Sequence, residues 1–531
     1  MTENYLKLKN GSDVRGVACE GVEGEAVTLT NEIAENIAKA FCVWLISRTG
    51  KTQVTVAIGH DSRITSPDLC KAVAAGITKT GHNAVVTGLS TTPSMFAMLK
   101  DDARMQEKYC HGSIMITASH LPFNRNGLKF FSHEGGLESQ DIKEILEMAG
   151  SDYRYAEPNV EGTYEECSYL NDYAASLVEK VRLACGEETP LSGKKIIVDA
   201  GNGAGGFFAD KVLQPLGADT TGSQFLEPDG TFPNHIPNPE NAQAMQSVCD
   251  AVKAAKADFG IIFDTDVDRA GAVDENGEEI NRNRLIALIS AILLDEQKGT
   301  IVTDSVTSDG LAKFIAKRGG KHLRFKRGYK NVINEAKRLN ALGEYAPLAI
   351  ETSGHAALME NYFLDDGAYL ITRLLIALAK TAKEGKKLSS LIADLEMPYE
   401  SVELRAKFRP DCDFKTLGKK VIDDFAVYAQ NLYYAQPATD NHEGFRLCYD
   451  DLHGDGWALV RMSLHDPVMP INVESNREDG AVKIVKDLYY FLRQYEFLDV
   501  TPFENAIAQW RQQKISQVKE KLKNRKCVIK K

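Results

Sequence analysis

Thr117-Ala-Ser-His-Leu-Pro-Phe-Asn-Arg-Asn-Gly-Leu-Lys129, led in by the apolar run Ser113-Ile-Met-Ile116, decides how the chain is read. The run has the character of a buried strand, and buried parallel strands hand functional groups to the loop at their carboxyl ends. That loop carries a hydroxyl (Ser119), an imidazole (His120) and an ammonium (Lys129) among Pro, Gly and Asn. Ser119 is therefore the candidate for the atom that carries the chemistry. No G-x-S-x-G elbow surrounds it, so an acyl-transfer triad is not indicated.

Upstream of the loop, strands alternate with helices, the pattern of a parallel, doubly wound sheet. A helix is expected over residues 31–47, where Ile33, Ile37, Phe41 and Trp44 fall on one face. Strands are expected at 54–58 and 84–87, with a helix over 67–79 between them. Asp13-Val-Arg-Gly16 reads as a turn. Downstream, the pattern restarts at Lys194-Lys-Ile-Ile-Val198 and again at Thr300-Ile-Val-Thr303. From about residue 401 short strands alternate with turns between long amphipathic helices, which suggests an α+β domain. The expected division is 1–185, 186–297, 298–400 and 401–531.

Two more apolar strands end in polar loops. Ile261-Ile-Phe263 leads to Asp264-Thr-Asp-Val-Asp-Arg269, and Leu348-Ala-Ile350 leads to Glu351-Thr-Ser-Gly-His355. Asp264, Asp266 and Asp268 can converge on one hard cation through oxygen. An EF-hand is the nearest rival, but Arg269 stands where that loop needs Gly. Three carboxylates leave a position for a phosphate oxygen, which suits Mg²⁺ and phosphoryl transfer. Glu351, Ser353 and His355 offer an acceptor, a hydroxyl and an imidazole suited to sugar hydroxyls. Arg461-Met-Ser463 offers a fork and a hydroxyl for a phosphate. Gly201-Asn-Gly-Ala-Gly-Gly206 satisfies G-x-G-x-x-G and supports a rival reading, a dinucleotide enzyme, but leaves the acidic triplet unexplained.

Composition narrows the classes. The 531 residues exceed one core, and 43% hydrophobic with 26% charged residues is ordinary for a globular protein. A net charge of −11 argues against nucleic acid or anionic membranes as main partners. The ten cysteines form no Cys-x-x-Cys pair, which fits reduced thiols rather than zinc or disulfides. With no apolar signal core and no run long enough to span a bilayer, a cytoplasmic location is expected. Residues 511–531, dense in Lys and Arg, read as a solvated, partly helical tail.

In order, these loops resemble those of the α-D-phosphohexomutases, the phosphoglucomutase/phosphomannomutase family. That family carries a T-A/G-S-H-N-P loop, a D-x-D-x-D-R loop, a G-E-x-S-G-H-like loop and an R-x-S-N-T-x-P loop. Here Leu121 replaces the usual Asn, Ile350 the usual Gly, and Leu464-His-Asp466 the usual Asn-Thr pair and its successor. The resemblance covers essentially the full length. It implies three doubly wound, mixed-sheet α/β domains followed by a TATA-binding-protein-like α+β domain. It implies a Ser119 phosphorylated at rest, one Mg²⁺ held by Ser119, Asp264, Asp266 and Asp268, and a hexose 1,6-bisphosphate intermediate and activator.

On that resemblance Arg15, Arg269, His120 and Lys129 assist catalysis, Lys129 as general acid/base if nearby cations lower its pKa, with His120 and His355 as alternatives or supports. Glu351, Ser353 and His355 meet the sugar, and Lys330, in Arg327-Gly-Tyr-Lys330, is a substrate-binding residue of a loop that lines the cleft. Arg461, Ser463 and His465 bind the non-reacting phosphate. The expected partners are small sugar phosphates, glucose and/or mannose, with neither nucleic acid nor membrane, and the chain acts as a monomer or dimer. Phosphoglucosamine mutase remains the same-class alternative, and a non-catalytic sugar-phosphate sensor the alternative from another class.

Overall fold

A computed structural model describes residues 2–101, 109–151, 153, 155, 160–463 and 466–528. The chain divides into two compact units: residues 1–301 with 336–393, and residues 302–335 with 394–531.

The first unit opens on a mixed sheet. Thr55–His60 runs parallel to Asn83–Leu89 and to Gly112–Ile116. The loop strand Gly112–Ile116 then pairs antiparallel with Arg125–Ser132, which pairs antiparallel with Asp13–Val17. Parallel pairing, expected from the alternation with helices, therefore holds on one side of Gly112–Ile116 only. On the other side the chain returns after a short loop, too short for the crossover that parallel pairing needs. The helices Asn31–Thr49 and Ser139–Ala149 bury Ile37, Phe41, Ile142 and Ile145 against Ile58, Ile114, Ile116 and Phe130. Ile37, Phe41 and Trp44 are buried as the helical spacing predicts, and Ile33 packs at the margin.

Two expectations are corrected here. Asp13–Val17 is a strand rather than a turn, with Arg15 opposite Gly127. Lys129 lies within the strand Arg125–Ser132, not in the loop. Its neighbours Leu128 and Phe130 belong to the core, so strand alternation sends the ammonium to the opposite face.

A second sheet joins Ile196–Asp199 parallel to Phe259–Phe263, which pairs antiparallel with Ala270–Val273. The helix Ala242–Ala255 covers it with Ala244, Met245, Val248 and Val252. The apolar run after the Gly201–Gly206 turn winds as a π-helix over Phe208–Leu213 between two 3₁₀ turns. Further along the unit, Leu348–Ile350, Ala356–Leu358 and Leu364–Asp365 form an antiparallel ladder. The apolar stretch 285–294 lies in the buried helix Asn283–Glu296, and Gly367–Lys383 is buried along nearly its whole length.

In the second unit Glu400–Phe408, Val468–Ser475, Gly456–Val460, Phe445–Tyr449 and Ala435–Pro437 pair antiparallel in turn. The helices Phe414–Gln430 and Gly480–Leu492 cover one face with Phe425, Ile484, Leu488 and Phe491. Residues Thr501–Val528 form a helix. The chain thus carries mixed α/β sheets followed by an antiparallel α+β domain. Among the described residues no helix is long and apolar enough to cross a membrane.

Candidate active site

Ser119 sits just past its strand with φ +51°, a left-handed conformation that few side chains adopt. Its backbone N–H is held by Thr117 Oγ1 at 2.8 Å. The hydroxyl donates to Asp264 Oδ2 at 2.9 Å and accepts from Arg269 Nη2 at 3.0 Å. Arg269 in turn donates to Asp264 Oδ2 through Nε (3.1 Å) and Nη2 (3.0 Å), and to Asn238 Oδ1 through Nη1 (3.2 Å). The same Nη2 meets His120 Nδ1 at 2.6 Å. Burial, reinforced by the Arg269 and Arg15 charges, pulls the His120 imidazole down to about 2, so it is neutral and accepts this bond.

Asp264, Asp266 and Asp268 are fully buried, and one oxygen from each lies within 4.8 Å of the others. Among the described residues, Asp266 Oδ1 and Asp268 Oδ1 have no hydrogen-bond partner. Buried carboxylate oxygens left without partners are costly unless a cation meets them. Burial and the neighbouring Asp268 push the Asp264 carboxyl well up. An oxygen-only set of crowded carboxylates fits a hard divalent cation. The glycines of 201–206 support this loop. A Cβ at Gly203 would stand 2.7 Å from Thr265 O, and Ala204 N–H donates to that carbonyl at 2.8 Å. A Cβ at Gly206 would stand 2.1 Å from Leu226 O. Protein backbone fills the space that a pyrophosphate needs, which removes the dinucleotide reading.

Lys129 Nζ pairs with Asp268 and stands 3.6 Å from Asp266 Oδ2. Strand alternation points Lys129 at the acidic loop, so its ammonium meets carboxylates there. Arg15 is anchored to Asp13 at 2.9 Å and feels the fields of Asp266 and Asp268. His355 joins from the loop Glu351–His355, bridged to the backbone of Arg269. Its Nδ1 lies 2.6 Å from Asp365 Oδ2 and 3.9 Å from Asp268 Oδ1. Burial lowers its pKa, but these two carboxylates outweigh it and raise it to about 9. Glu351 and Ser353 are buried in the same turn, and Ser353 Oγ has no hydrogen-bond partner among the described residues.

The remaining expected residues belong to the second unit. Arg461 follows the strand Gly456–Val460, is 5% exposed and lies in the fields of Glu443 and Arg327. Ser463 Oγ accepts from Asp466 N–H at 3.2 Å. Lys330 lies in the first turn of Tyr329–Ala341. His465 falls outside the described residues. Four supporting side chains escaped the sequence reading: Thr92, which donates to Asp266 Oδ2 at 2.5 Å, Asn238, Asp365 and Arg63.

A serine hydroxyl fixed between a carboxylate and a guanidinium, beside a cation-ready acidic triplet, is built for phosphoryl transfer. The descriptions "Phosphoglucomutase/phosphomannomutase, alpha/beta/alpha domain" I, II and III match residues 7–155, 171–277 and 281–399. The chain is 29% identical to a phosphoglucomutase of Neisseria meningitidis over 478 residues, 89% of this chain and 94% of that one. It is 30% identical to a phosphoglucomutase/phosphomannomutase of Thermococcus kodakarensis over 479 residues, 90% and 96% of the two. A phosphoglucomutase/phosphomannomutase family protein of Burkholderia thailandensis superposes with a TM-score of 0.75 at 26% identity, covering 93% of this chain and 98% of that one. The chain belongs to the phosphoglucomutase/phosphomannomutase family and is an enzyme of the mutase class.

Proposed function

We propose that the enzyme interconverts hexose 1-phosphate and hexose 6-phosphate, of glucose and/or mannose, through a phosphorylated Ser119 and a hexose 1,6-bisphosphate. The observation that carries this reading is Ser119 Oγ set 2.9 Å from Asp264 Oδ2 and 3.0 Å from Arg269 Nη2. Phosphoryl transfer asks the protein mainly for positioning and for charge on the phosphoryl oxygens. Arg269 supplies a fixed fork at the serine, and neutral His120 holds that fork in place. Arg15 adds positive charge from the neighbouring strand.

Asp264, Asp266 and Asp268, with an oxygen of the serine phosphate, would hold one Mg²⁺. Bound there, the ion supplies Lewis-acid neutralisation of phosphate charge. Lys129 moves the proton at the sugar hydroxyl that receives or releases the phosphoryl group. Glu351, Ser353 and His355 orient the sugar. Arg461 and Ser463, with His465, take the non-reacting phosphate, and Lys330 is a further substrate-binding residue. The sugar leaves Ser119 as a bisphosphate, and its other phosphate returns to the serine, so phosphate moves between O1 and O6. The four-domain division at 185, 297 and 400 belongs to the same reading.

The test is a substrate panel of glucose, mannose and glucosamine 1-phosphates with Mg²⁺ and catalytic hexose 1,6-bisphosphate. Conversion of the glucose or mannose ester is expected. Conversion of none of the three contradicts the reading.

A further inference from the structure

Arg63 is among the most completely buried large side chains of the protein, at 1% exposure, yet it is a cation. Its guanidinium is spent on one object, the main chain of the serine loop. Nη1 donates to the carbonyls of Pro122 and Arg125, each at 2.8 Å. Nη2 donates to the carbonyls of Leu121, at 2.6 Å, and of Ser119. Nε stands 3.4 Å from Asp61 Oδ2. Asp61 Oδ1 accepts from the Arg63 N–H and from Ser66 Oγ, each at 3.0 Å, and Asn126 Nδ2 ties that same Ser66 to the returning strand at 3.0 Å. The Asp61 N–H donates to Ile116 O, the last residue of the leading strand. Phe232, from the second sheet's loops, covers the guanidinium with its ring centroid 5.2 Å away.

We propose that Arg63 is a positioning residue for the reaction: a fork locked by Asp61 that grips four loop carbonyls and sets Ser119 in its left-handed conformation opposite Asp264 and Arg269. Four carbonyls pointing at one buried cation define the path of residues 119–125 without using any loop side chain. The grip is therefore indifferent to what stands at 121, which accommodates Leu121. Only a planar, multi-donor cation can serve; a lysine offers three donors from one point and cannot span both pairs of carbonyls. A loop relaxed by about 1 Å moves the hydroxyl off its partners, and a displacement of that size costs about 100-fold in rate.

This inference rests on Ser119 being the phosphoryl carrier. The full-length enzyme is compared with Arg63→Lys, Arg63→Ala and Asp61→Asn, using glucose 1-phosphate with Mg²⁺ and the bisphosphate activator. Arg63→Lys is expected to lose about 100-fold in kcat with KM within about twofold. Millimolar guanidinium is expected to restore kcat of Arg63→Ala by about tenfold or more, a rescue that general loosening does not give. A folded Arg63→Lys enzyme with kcat within about threefold of wild type overturns the proposal, as does a change confined to KM. Where neither Arg63 variant folds, Asp61→Asn decides: about a tenfold fall in kcat at constant KM supports the clamp, and an unchanged kcat overturns it. Failure of the underlying reading shows separately, as an active Ser119→Ala enzyme.

Discussion

Arg269 Nη2 touches Ser119 Oγ at 3.0 Å and Asp264 Oδ2 at 3.0 Å, so one guanidinium nitrogen joins two loops 145 residues apart in sequence. On the proposed function, this contact holds the phosphoryl-accepting hydroxyl, its acceptor and its cation in one fixed arrangement. Preorganised charge of this kind supplies the greater part of many enzymatic rate enhancements.

Arg269→Gln removes that nitrogen's charge. We expect kcat to fall by about 10²–10³-fold, the usual cost of one transition-state donor. Stability should also drop by about 1–3 kcal/mol, because the buried Asp264 Oδ2 loses the hydrogen bonds that Arg269 donates through Nε and Nη2. Steady-state kinetics and urea melts measure both.

The acidic triplet predicts a divalent-cation effect on stability as well as on rate. Mg²⁺ at about 100 times its Kd should stabilise the wild-type protein by about 2.7 kcal/mol. Asp266→Asn, which alters one of the two triplet carboxylates whose Oδ1 has no hydrogen-bond partner among the described residues, should lose most of that increment. Thermal melts with and without chelator read the difference.

Gly203→Ala tests the support of that loop from below. The new Cβ would meet Thr265 O at 2.7 Å and Thr265 Cα at 2.8 Å. Backbone cannot step aside cheaply, so we expect a loss of about 1–3 kcal/mol and a fall in kcat from the displaced triplet. A variant as stable and as active as wild type would show that the contact relaxes without consequence.

His235 provides a pH signature away from the acidic triplet. Its Nε2 lies 3.0 Å from Asp199 and its Nδ1 3.0 Å from Ile236 O. Burial opposes its charge, but the Asp199 carboxylate outweighs that and raises its pKa above the ordinary 6.5. The folded state then holds the proton more tightly than the unfolded chain. The stability gained is fully present below about pH 6.5 and is lost as pH rises through the folded pKa. The stability gap between wild type and His235→Asn should therefore be widest near pH 5.5 and shrink toward pH 9, followed by urea melts across that range.

Much of the fold was legible because its signals are local. Helical spacing of Ile37, Phe41 and Trp44, and the apolar runs ending at Ile116, Phe263 and Ile350, fall where the elements do. The reactive loops were legible because they follow those strands. The partners were not: Thr92 meets Asp266 across 174 residues, and Arg63 meets the serine loop across about sixty. Neither carries a local periodicity, and a lone Thr or Arg reads as solvated. Lys129 was misplaced for a related reason. Its Asn126-Gly127 neighbours signal a turn, whereas pairing with Asp13–Val17 and Gly112–Ile116 makes them strand.

The most direct test of the account is the intact mass of the purified enzyme and of Ser119→Ala. One phosphoryl group is expected on the wild-type chain, absent from Ser119→Ala and exchanged onto added glucose 1-phosphate, with the variant inactive. A fully active wild type that carries no phosphate at any stage of turnover, or an active Ser119→Ala, would contradict it.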